Sequence, residues 1–262
     1  MLPFALAVAL ARTRRVALTA TMARTTRKPP PRRPLDRIAT AIRKGLRWGV
    51  LGALGIAAVL VAWVALYRFV DPPGGYYQWT ESRRLGGVTR VWADFGSIAP
   101  VMARSVVAAE DVNFCRHWGF DLGAIREALA AGGTRGASTI TQQVVKNVFL
   151  WHGRNFLRKA LEAMMTPLVE LLWPKERILE VYLNIAEFDE GIFGVEAAAQ
   201  RYFSRSAMDL NARQASLLAA VLPAPQSRNA ARPTEFLNRR ARAIADGAAT
   251  IARDDRSDCF GG

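Results

Sequence analysis

The hydrophobic pattern divides this chain into one long, uninterrupted apolar block and a following region of helical periodicity. From Trp48 to Tyr67 the segment WGVLGALGIAAVLVAWVALY carries no charged side chain, and about 20 apolar residues are what a helix needs to cross a bilayer core of about 30 Å. Arg47 and Arg68 bracket it, and Trp48, Trp63 and Tyr67 lie near its ends, where aromatic rings favour the membrane interface. A single transmembrane helix over 48–67 is therefore expected. A buried core helix is the bland alternative, but such helices are usually shorter and carry polar residues on some face.

Beyond this block the period changes. Ser97 followed by Pro100 suits a helix start, and Val101, Ser105, Ala108 and Ala109 share one face of APVMARSVVAAED up to Glu110. Asp121 is placed to cap DLGAIREALAAGG, which Gly132 and Gly133 can end. Ser138 then opens a third helix, in which Ile140, Val144 and Val148 recur every four residues as a buried stripe. Further helices are expected at 155–172, 174–184, 191–203, 209–222 and 234–252, with strand period confined mainly to RVWADF at 90–95. Pro167 lies inside the apparent helix LRKALEAMMTPLVELLW. There it removes a hydrogen bond at a cost of about 3 kcal/mol, so a bend or break after Met165 is expected.

Charge orients this arrangement. Residues 1–47 contain twelve Lys or Arg against Asp36 alone, a balance of +11, which leaves only +3 of the total +14 for the rest. Basic residues beside a span stay in the cytoplasm. Residues 1–47 then form a basic, disordered cytoplasmic tail, and 68–262 form one domain outside the inner membrane, the periplasmic side. A basic arm can also bind nucleic acid, but this one is Pro-rich (KPPPRRP) and tethered to a span, so no nucleic-acid partner is expected. The opening MLPFALAVALA lacks the basic segment that precedes a signal peptide's apolar core. Met22 is the expected start, with Met1 as the alternative.

Composition removes several chemistries. The region after the span suits one domain and is too short for two sizeable ones. It lacks Ser-x-x-Lys and Lys-Thr-Gly, so a penicillin-binding transpeptidase is excluded. Cys115 and Cys259 have no C-x-x-C spacing, and His117 and His152 do not form H-E-x-x-H. An oxidising compartment permits a Cys115–Cys259 bridge, but the spacing does not decide it.

The polar residues that remain fall into clusters. Glu110 follows the apolar turn VVAA in a segment reading EDVNFCRHWGFD. A carboxylate at such a dry helix end gains affinity for protons, which is the poise of a general base. In STITQQVVKN, Ser138, Thr139, Gln142 and Gln143 offer partners to sugar and phosphate oxygens, and Lys146 adds a cation. In GRNFLRKALEA, Arg154, Arg158, Lys159 and Glu162 recur at helical spacing. That cluster is either an exposed ion pair worth a few tenths of a kcal/mol or a site of fixed cations for developing negative charge.

These segments resemble, in order and spacing, the signature motifs of the peptidoglycan glycosyltransferases (glycosyltransferase family 51), in particular its monofunctional biosynthetic transglycosylases. EDVNFCRHWGFD resembles the first motif, RGASTITQQVVKN the second, with Ala137 where the family often has Gly, and RKALE the third. KERILEVYLNIAEF and GVEAAAQRYF resemble the fourth and fifth, with Asn184 as a polar latch and Glu196 as a structural acid, and LAAVLPAPQSRNA resembles a Leu-Pro-x-x-P segment.

The resemblance implies a mainly α, lysozyme-like domain behind one transmembrane helix. It implies an enzyme that polymerises lipid II, with a lipid-linked nascent glycan as donor, releasing undecaprenyl diphosphate with inversion. Glu110 would be the general base and Glu162 the second acid. Asp111, Phe114, His117, Ser138, Thr139, Gln142, Gln143, Lys146, Arg154, Arg158, Lys159 and Arg239 would bind substrate. A divalent cation, Mg²⁺ or Mn²⁺, is implied by the family alone, with Glu162 the residue to hold it through a bound diphosphate. Cell-wall synthesis or division proteins are the partners the family suggests. Two other readings compete: a membrane-anchored lysozyme-like hydrolase, which also uses a Glu but has no diphosphate for Lys146, Arg154, Arg158 and Lys159 to stabilise, and a non-catalytic scaffold, which has no need of Glu110.

Overall fold

The computed structural model describes residues 34–132, 136, 138–153 and 155–261. The expectations for Met1, Met22 and the Pro-rich arm, and for Gly133, Ala137 and Arg154, lie outside these residues. The apolar block lies in helix α1 (Pro34–Tyr67). The helix begins well before Trp48, so the stretch 34–47, expected within a disordered tail, is helical. Proline tolerates the first helical position because its missing N–H has no intrahelical partner there. Most large apolar side chains of α1 from Ile42 to Leu66 are exposed, with Val64 fully buried.

The domain that follows is mainly helical. In chain order it contains α2 (Tyr76–Leu85), β1 (Thr89–Arg90), α3 (Pro100–Glu110), α4 (Leu122–Ala130), α5 (Ile140–Phe149), α6 (Phe156–Leu172) and α7 (Lys175–Ile185). Then come β2 (Glu187–Asp189), β3 (Ile192–Phe193), α8 (Val195–Phe203), α9 (Ala212–Val221) and α10 (Glu235–Arg253). Helices α3, α9 and α10 pack against one another, and α5 packs on both α6 and α7. Ile140, Val144 and Val148 form the buried stripe of α5 and meet a core that includes Met102, Val106, Ile178, Leu179, Leu183 and Leu218. Burying side chains of this kind stabilises by about 1.5–3 kcal/mol each.

Local chemistry sets the helix boundaries. Asp121 caps α4 by accepting from Ala124 N at 2.9 Å. Thr139 caps α5 in a capping box, its hydroxyl accepting from Gln142 N while Gln142 Oε1 accepts from Thr139 N at 3.1 Å. Ala99 rather than Ser97 precedes α3, and no side chain caps it. Helix α6 continues through Pro167 instead of breaking after Met165. The N–H that Pro167 lacks would have served Ala163, which lies on the exposed side of the helix, where water can satisfy the carbonyl.

Two elements depart from the pattern-based reading. Helix α2 and the small sheet, ordered β1-β3-β2 with β1 parallel and β2 antiparallel to β3, were not expected. Of the 90–95 region only Arg90 joins that sheet, opposite Phe193, preceded by Thr89 opposite Ile192. Farther along, Asn184 takes the place of a neighbouring strand. Its Oδ1 accepts from Ala93 N and its Nδ2 donates to Ala93 O, both at 2.8 Å. The helix expected from 191 starts later because 192–193 are consumed by β3. Cys115 and Cys259 form a disulfide that ties the chain beside the first motif to the C-terminal segment.

Candidate active site

Helix α3 delivers Glu110 as its last residue, at the point where the buried face of Met102 and Val106 gives way to a groove. Gln143, on α5, donates from Nε2 to Glu110 Oε2 at 3.1 Å. Tyr182, on α7, donates its hydroxyl to Gln143 Oε1 at 3.4 Å. Burial pushes the Tyr182 phenol well above its ordinary range, helped by the nearby charges of Glu110 and Asp111, so it remains a donor. Burial is likewise the main reason that Glu110 binds its proton more tightly than an ordinary carboxylate. The Gln143 hydrogen bond and the charges of Arg240 and Lys146 oppose this shift, and Asp111 adds to it.

A recess of about 360 Å³ opens on one side of Glu110, lined also by Asp111, Asp121, Ala124, Ser138 and Thr139. A second, of about 280 Å³, is lined by Gln143, Lys146, Tyr182, Tyr77, His152 and Glu187. Gln143 thus lines one recess and hydrogen-bonds the acid that lines the other. A larger recess between α9 and α10, lined by Arg213, Leu217 and Arg242 among others, contains none of these groups.

The cation cluster centres on Glu162 of α6, whose side chain is 3% exposed. Arg158 NH1 pairs with Glu162 Oε2 at 2.6 Å and Lys159 Nζ pairs with Oε1. Lys159 also donates to Ser138 Oγ at 3.2 Å, joining the third motif to the second. Lys146 lies within the field of this cluster and of Glu110. Burial lowers its proton affinity, Arg158 and Lys159 lower it further, and Glu162 and Glu110 oppose them. Both oxygens of Glu162 are engaged by cations, so this carboxylate does not fit the role of ligand to a divalent ion. Its geometry is that of a residue that positions Arg158 and Lys159.

Several expected substrate contacts are architectural instead. Phe114 is fully buried against Phe260 and His117, beneath the Lys175 ammonium. It cannot touch a ligand without unfolding its surroundings. Asp111 Oδ1 holds His117 Nε2 at 2.7 Å and its Oδ2 accepts from Ile140 N at 3.0 Å, clamping the first motif to the start of α5. Asp111, His117 and Asp121 lie close enough to share a metal ion. Asp121, however, is occupied by Ala124 N and by Asn113 Nδ2 at 2.8 Å, and Asp111 by the two bonds just described.

Thr139 and Gln142 face inward as cap partners, and Thr139 Oγ1 donates to Gly119 O at 2.7 Å. Gly119 has φ of +83°, and a Cβ there would lie 2.6 Å from Thr166 Cγ2. Only glycine fits this approach. Ser138, Gln143, Lys146, Arg158 and Lys159 remain at the groove. Arg239 lies on the outer face of α10, paired with Glu235. Its neighbour Arg240 acts on Glu110 together with Lys146, and its buried Nε has no hydrogen-bond partner among the described residues.

The register of α10 contained that distinction. Leu237, Ala241, Ile244, Ala248 and Ile251 are its buried stripe, so a residue three after Leu237 and four before Ile244 flanks the core, whereas Arg239 falls opposite. Tyr77, Glu187 and Gln226 were also missed. Tyr77 Oη donates to Glu187 Oε2 at 2.8 Å, Gln226 Nε2 donates to Tyr77 Oη at 3.2 Å, and Tyr77 stacks on His152 with centroids 3.9 Å apart. Asn184 and Glu196 prove structural. Besides holding Ala93, Asn184 bonds Glu180 O, and Glu196 Oε2 accepts from Ala207 N at 2.7 Å.

Comparison with known proteins places this geometry. Residues 79–249 match the transglycosylase family. The chain is 59% identical over 223 residues to a biosynthetic peptidoglycan transglycosylase of Jannaschia sp. (strain CCS1), a match covering 85% of this chain and 92% of that protein. It is 48% identical over 223 residues to a protein of the same description from Xanthomonas axonopodis pv. citri (strain 306), covering 81% and 87% respectively.

Proposed function

We propose, from the premise that this chain belongs to the transglycosylase family and is a peptidoglycan glycosyltransferase, that it polymerises lipid II into β-1,4-linked glycan with Glu110 as general base. The observation that carries this reading is the position of Glu110. Hydrogen-bonded to Gln143, it lines one recess while Gln143 and Lys146 line a second, and Ser138 of the first recess accepts from Lys159 of the cation cluster.

Glu110 takes the proton of the acceptor's 4-hydroxyl as that oxygen attacks C1 of the donor. The C1–oxygen bond to the diphosphate breaks, the configuration at C1 inverts, and undecaprenyl diphosphate leaves with the bonding electron pair. Burial suits Glu110 to this work because a carboxylate with raised proton affinity is a stronger base, while Gln143 and the neighbouring cations oppose the loss of its charge. Lys146, Arg158 and Lys159 stabilise the charge that grows on the leaving group. Glu162 holds two of them in place before the reaction begins, so little reorganisation is needed at the transition state. A divalent cation would add charge at the diphosphate, but no step here passes through one.

The apolar helix α1 anchors the enzyme as a single-pass protein of the inner membrane. In this reading the basic tail of 1–47 is cytoplasmic, 48–67 spans the bilayer and 68–262 is periplasmic, where both lipid-linked substrates present their sugars. Incubating the purified protein with labelled lipid II tests the whole reading. Polymer supports it, cleavage of preformed glycan without synthesis would identify a hydrolase, and no reaction under conditions that retain the fold would leave a scaffold.

A further inference from the structure

Beyond α10 the chain makes a run of turns over residues 254–260 that returns to the segment following Glu110. Its backbone is fixed to the helix it leaves, with Asp254 N donating to Thr250 O and Arg256 N to Ile251 O, both at 3.0 Å. Its side chains reach the first motif in three ways. Cys259 is bonded to Cys115. Phe260, 1% exposed, packs on Phe114 with ring centroids 6.2 Å apart. Arg256 donates from Nη2 to Val112 O at 2.7 Å.

The groups that Arg256 meets connect two stretches of the lining of the Glu110 recess. Glu110, Asp111 and Val112 belong to one stretch, and Asp121 and Ala124, at the start of α4, to the other. Asn113 joins them, because its Nδ2 donates to Asp121 Oδ2 at 2.8 Å while its Oδ1 lies 3.5 Å from Arg256 Nη2. A single guanidinium thus holds both the backbone two residues after Glu110 and the amide that ties in α4, and hydrogen bonds from a charged donor are stronger than neutral ones. Glu110 is the final residue of α3. The course of the chain beyond it is set from one side by Asp111 on Ile140 N and from the other by Arg256 on Val112 O.

From this arrangement we infer that Arg256 is a positioning residue for Glu110, held in register by the Cys115–Cys259 bridge, so that glycan synthesis runs faster with the bridge closed than with it open. The inference rests on the reading of Glu110 as general base and deepens it. No residue of the turn lines either recess beside Gln143, so Arg256 acts through the segment it holds. A displacement of about 1 Å at the reacting groups can cost about 10²-fold in rate. The cations that grip the diphosphate lie on α5 and α6 and keep their places, so the effect falls on kcat and spares KM. Opening the bridge takes two electrons and two protons from a dithiol, which is itself oxidised to a disulfide, and leaves Cys115 and Cys259 as thiols. Both residues are partly exposed and within reach of such a reagent.

The test uses the full chain in detergent micelles with labelled lipid II, and reads kcat, KM and the folded fraction on each preparation. Arg256→Gln is expected to lower kcat by about 10- to 100-fold with KM unchanged, the mark of an interaction that serves the transition state. Arg256→Lys keeps a cationic donor for Val112 O and is expected to regain most of the loss. Arg253→Gln, at an exposed neighbour paired with Asp254, is the control and should match the wild type. Reducing the wild type with dithiothreitol should lower kcat per folded molecule, and Cys115→Ser combined with Cys259→Ser should begin at the lowered rate and not respond to the reagent. Wild-type kcat in Arg256→Gln, or equal kcat per folded molecule before and after reduction, would overturn the inference. So would a loss that merely follows the folded fraction, one that Arg256→Lys does not relieve, or a rise in KM alone, which would assign the turn to substrate binding. Absence of polymerisation by the wild type, or an undiminished rate for Glu110→Gln, would remove the reading of Glu110 as base and this inference with it, an outcome distinct from each of the others.

Discussion

Tyr182 determines which way Gln143 points. Its hydroxyl donates to Gln143 Oε1 at 3.4 Å, and this leaves Nε2 to donate to Glu110 at 3.1 Å. An amide has one accepting and one donating end, so a phenol that burial keeps protonated orients a partner for the base without itself touching the groove acid.

Replacing Glu110 by Gln should leave the fold intact and lower polymerisation by about 10²- to 10⁴-fold, the usual contribution of a general base. In the wild type, the raised proton affinity of Glu110 has a further consequence for pH. The active, ionised form is lost on acidification at a higher pH than for an ordinary Glu, so the acidic limb of kcat/KM should lie above the usual carboxylate range. A pH–rate profile with that limb at or below the ordinary value would remove Glu110 from the base role.

The Gln143 hydrogen bond lowers the proton affinity of Glu110. Gln143→Leu should therefore raise it further and move the acidic limb of the same profile to still higher pH. Loss of activity with an unmoved limb would show that Gln143 serves substrate binding alone.

Lys159 and Glu162 should separate function from stability. The Lys159 side chain is 46% exposed and that of Glu162 is 3% exposed. Lys159→Ala is expected to lower specific activity with little change in melting temperature, since exposed ion pairs contribute about 0–1 kcal/mol. Glu162→Ala leaves the Arg158 guanidinium, 12% exposed, without its counter-charge and should destabilise by about 3–5 kcal/mol. Calorimetry and polymerisation assays on the same preparations decide both, and equal melting temperatures for the two variants would contradict the difference in burial.

Removing the disulfide by Cys115→Ser with Cys259→Ser should lower stability by about 2–4 kcal/mol. The bridge links residues 144 apart in sequence, so its loss frees a long loop in the unfolded chain. Chemical denaturation of the two forms provides the measurement, and coincident unfolding curves would show that the bridge adds nothing.

The helical elements of this fold were legible because their signals are local. The stripe Ile140, Val144, Val148 and the cap Asp121 need only neighbours a few residues away. What the sequence did not disclose depends on partners far along the chain. Ala93 has strand-like surroundings, yet Asn184, 91 residues distant, takes both of its backbone groups. Site residues divide in the same way. Glu110, Gln143, Lys146 and Lys159 stand at the groove, but Phe114, Thr139 and Gln142 occur in the same motifs as core and cap. A motif identifies residues that are needed without saying whether they meet substrate or hold the residues that do. Arg240 shows the converse, since nothing but the register of a helix separates it from Arg239.

Glu110 is the final residue of α3, and the peptide dipoles of a helix add up to a partial negative charge at that end. The carbonyl ends of the last turn therefore repel an ionised carboxylate placed there, an effect that falls off within about one turn of the helix end. The backbone itself thus strengthens the base, adding to what burial does.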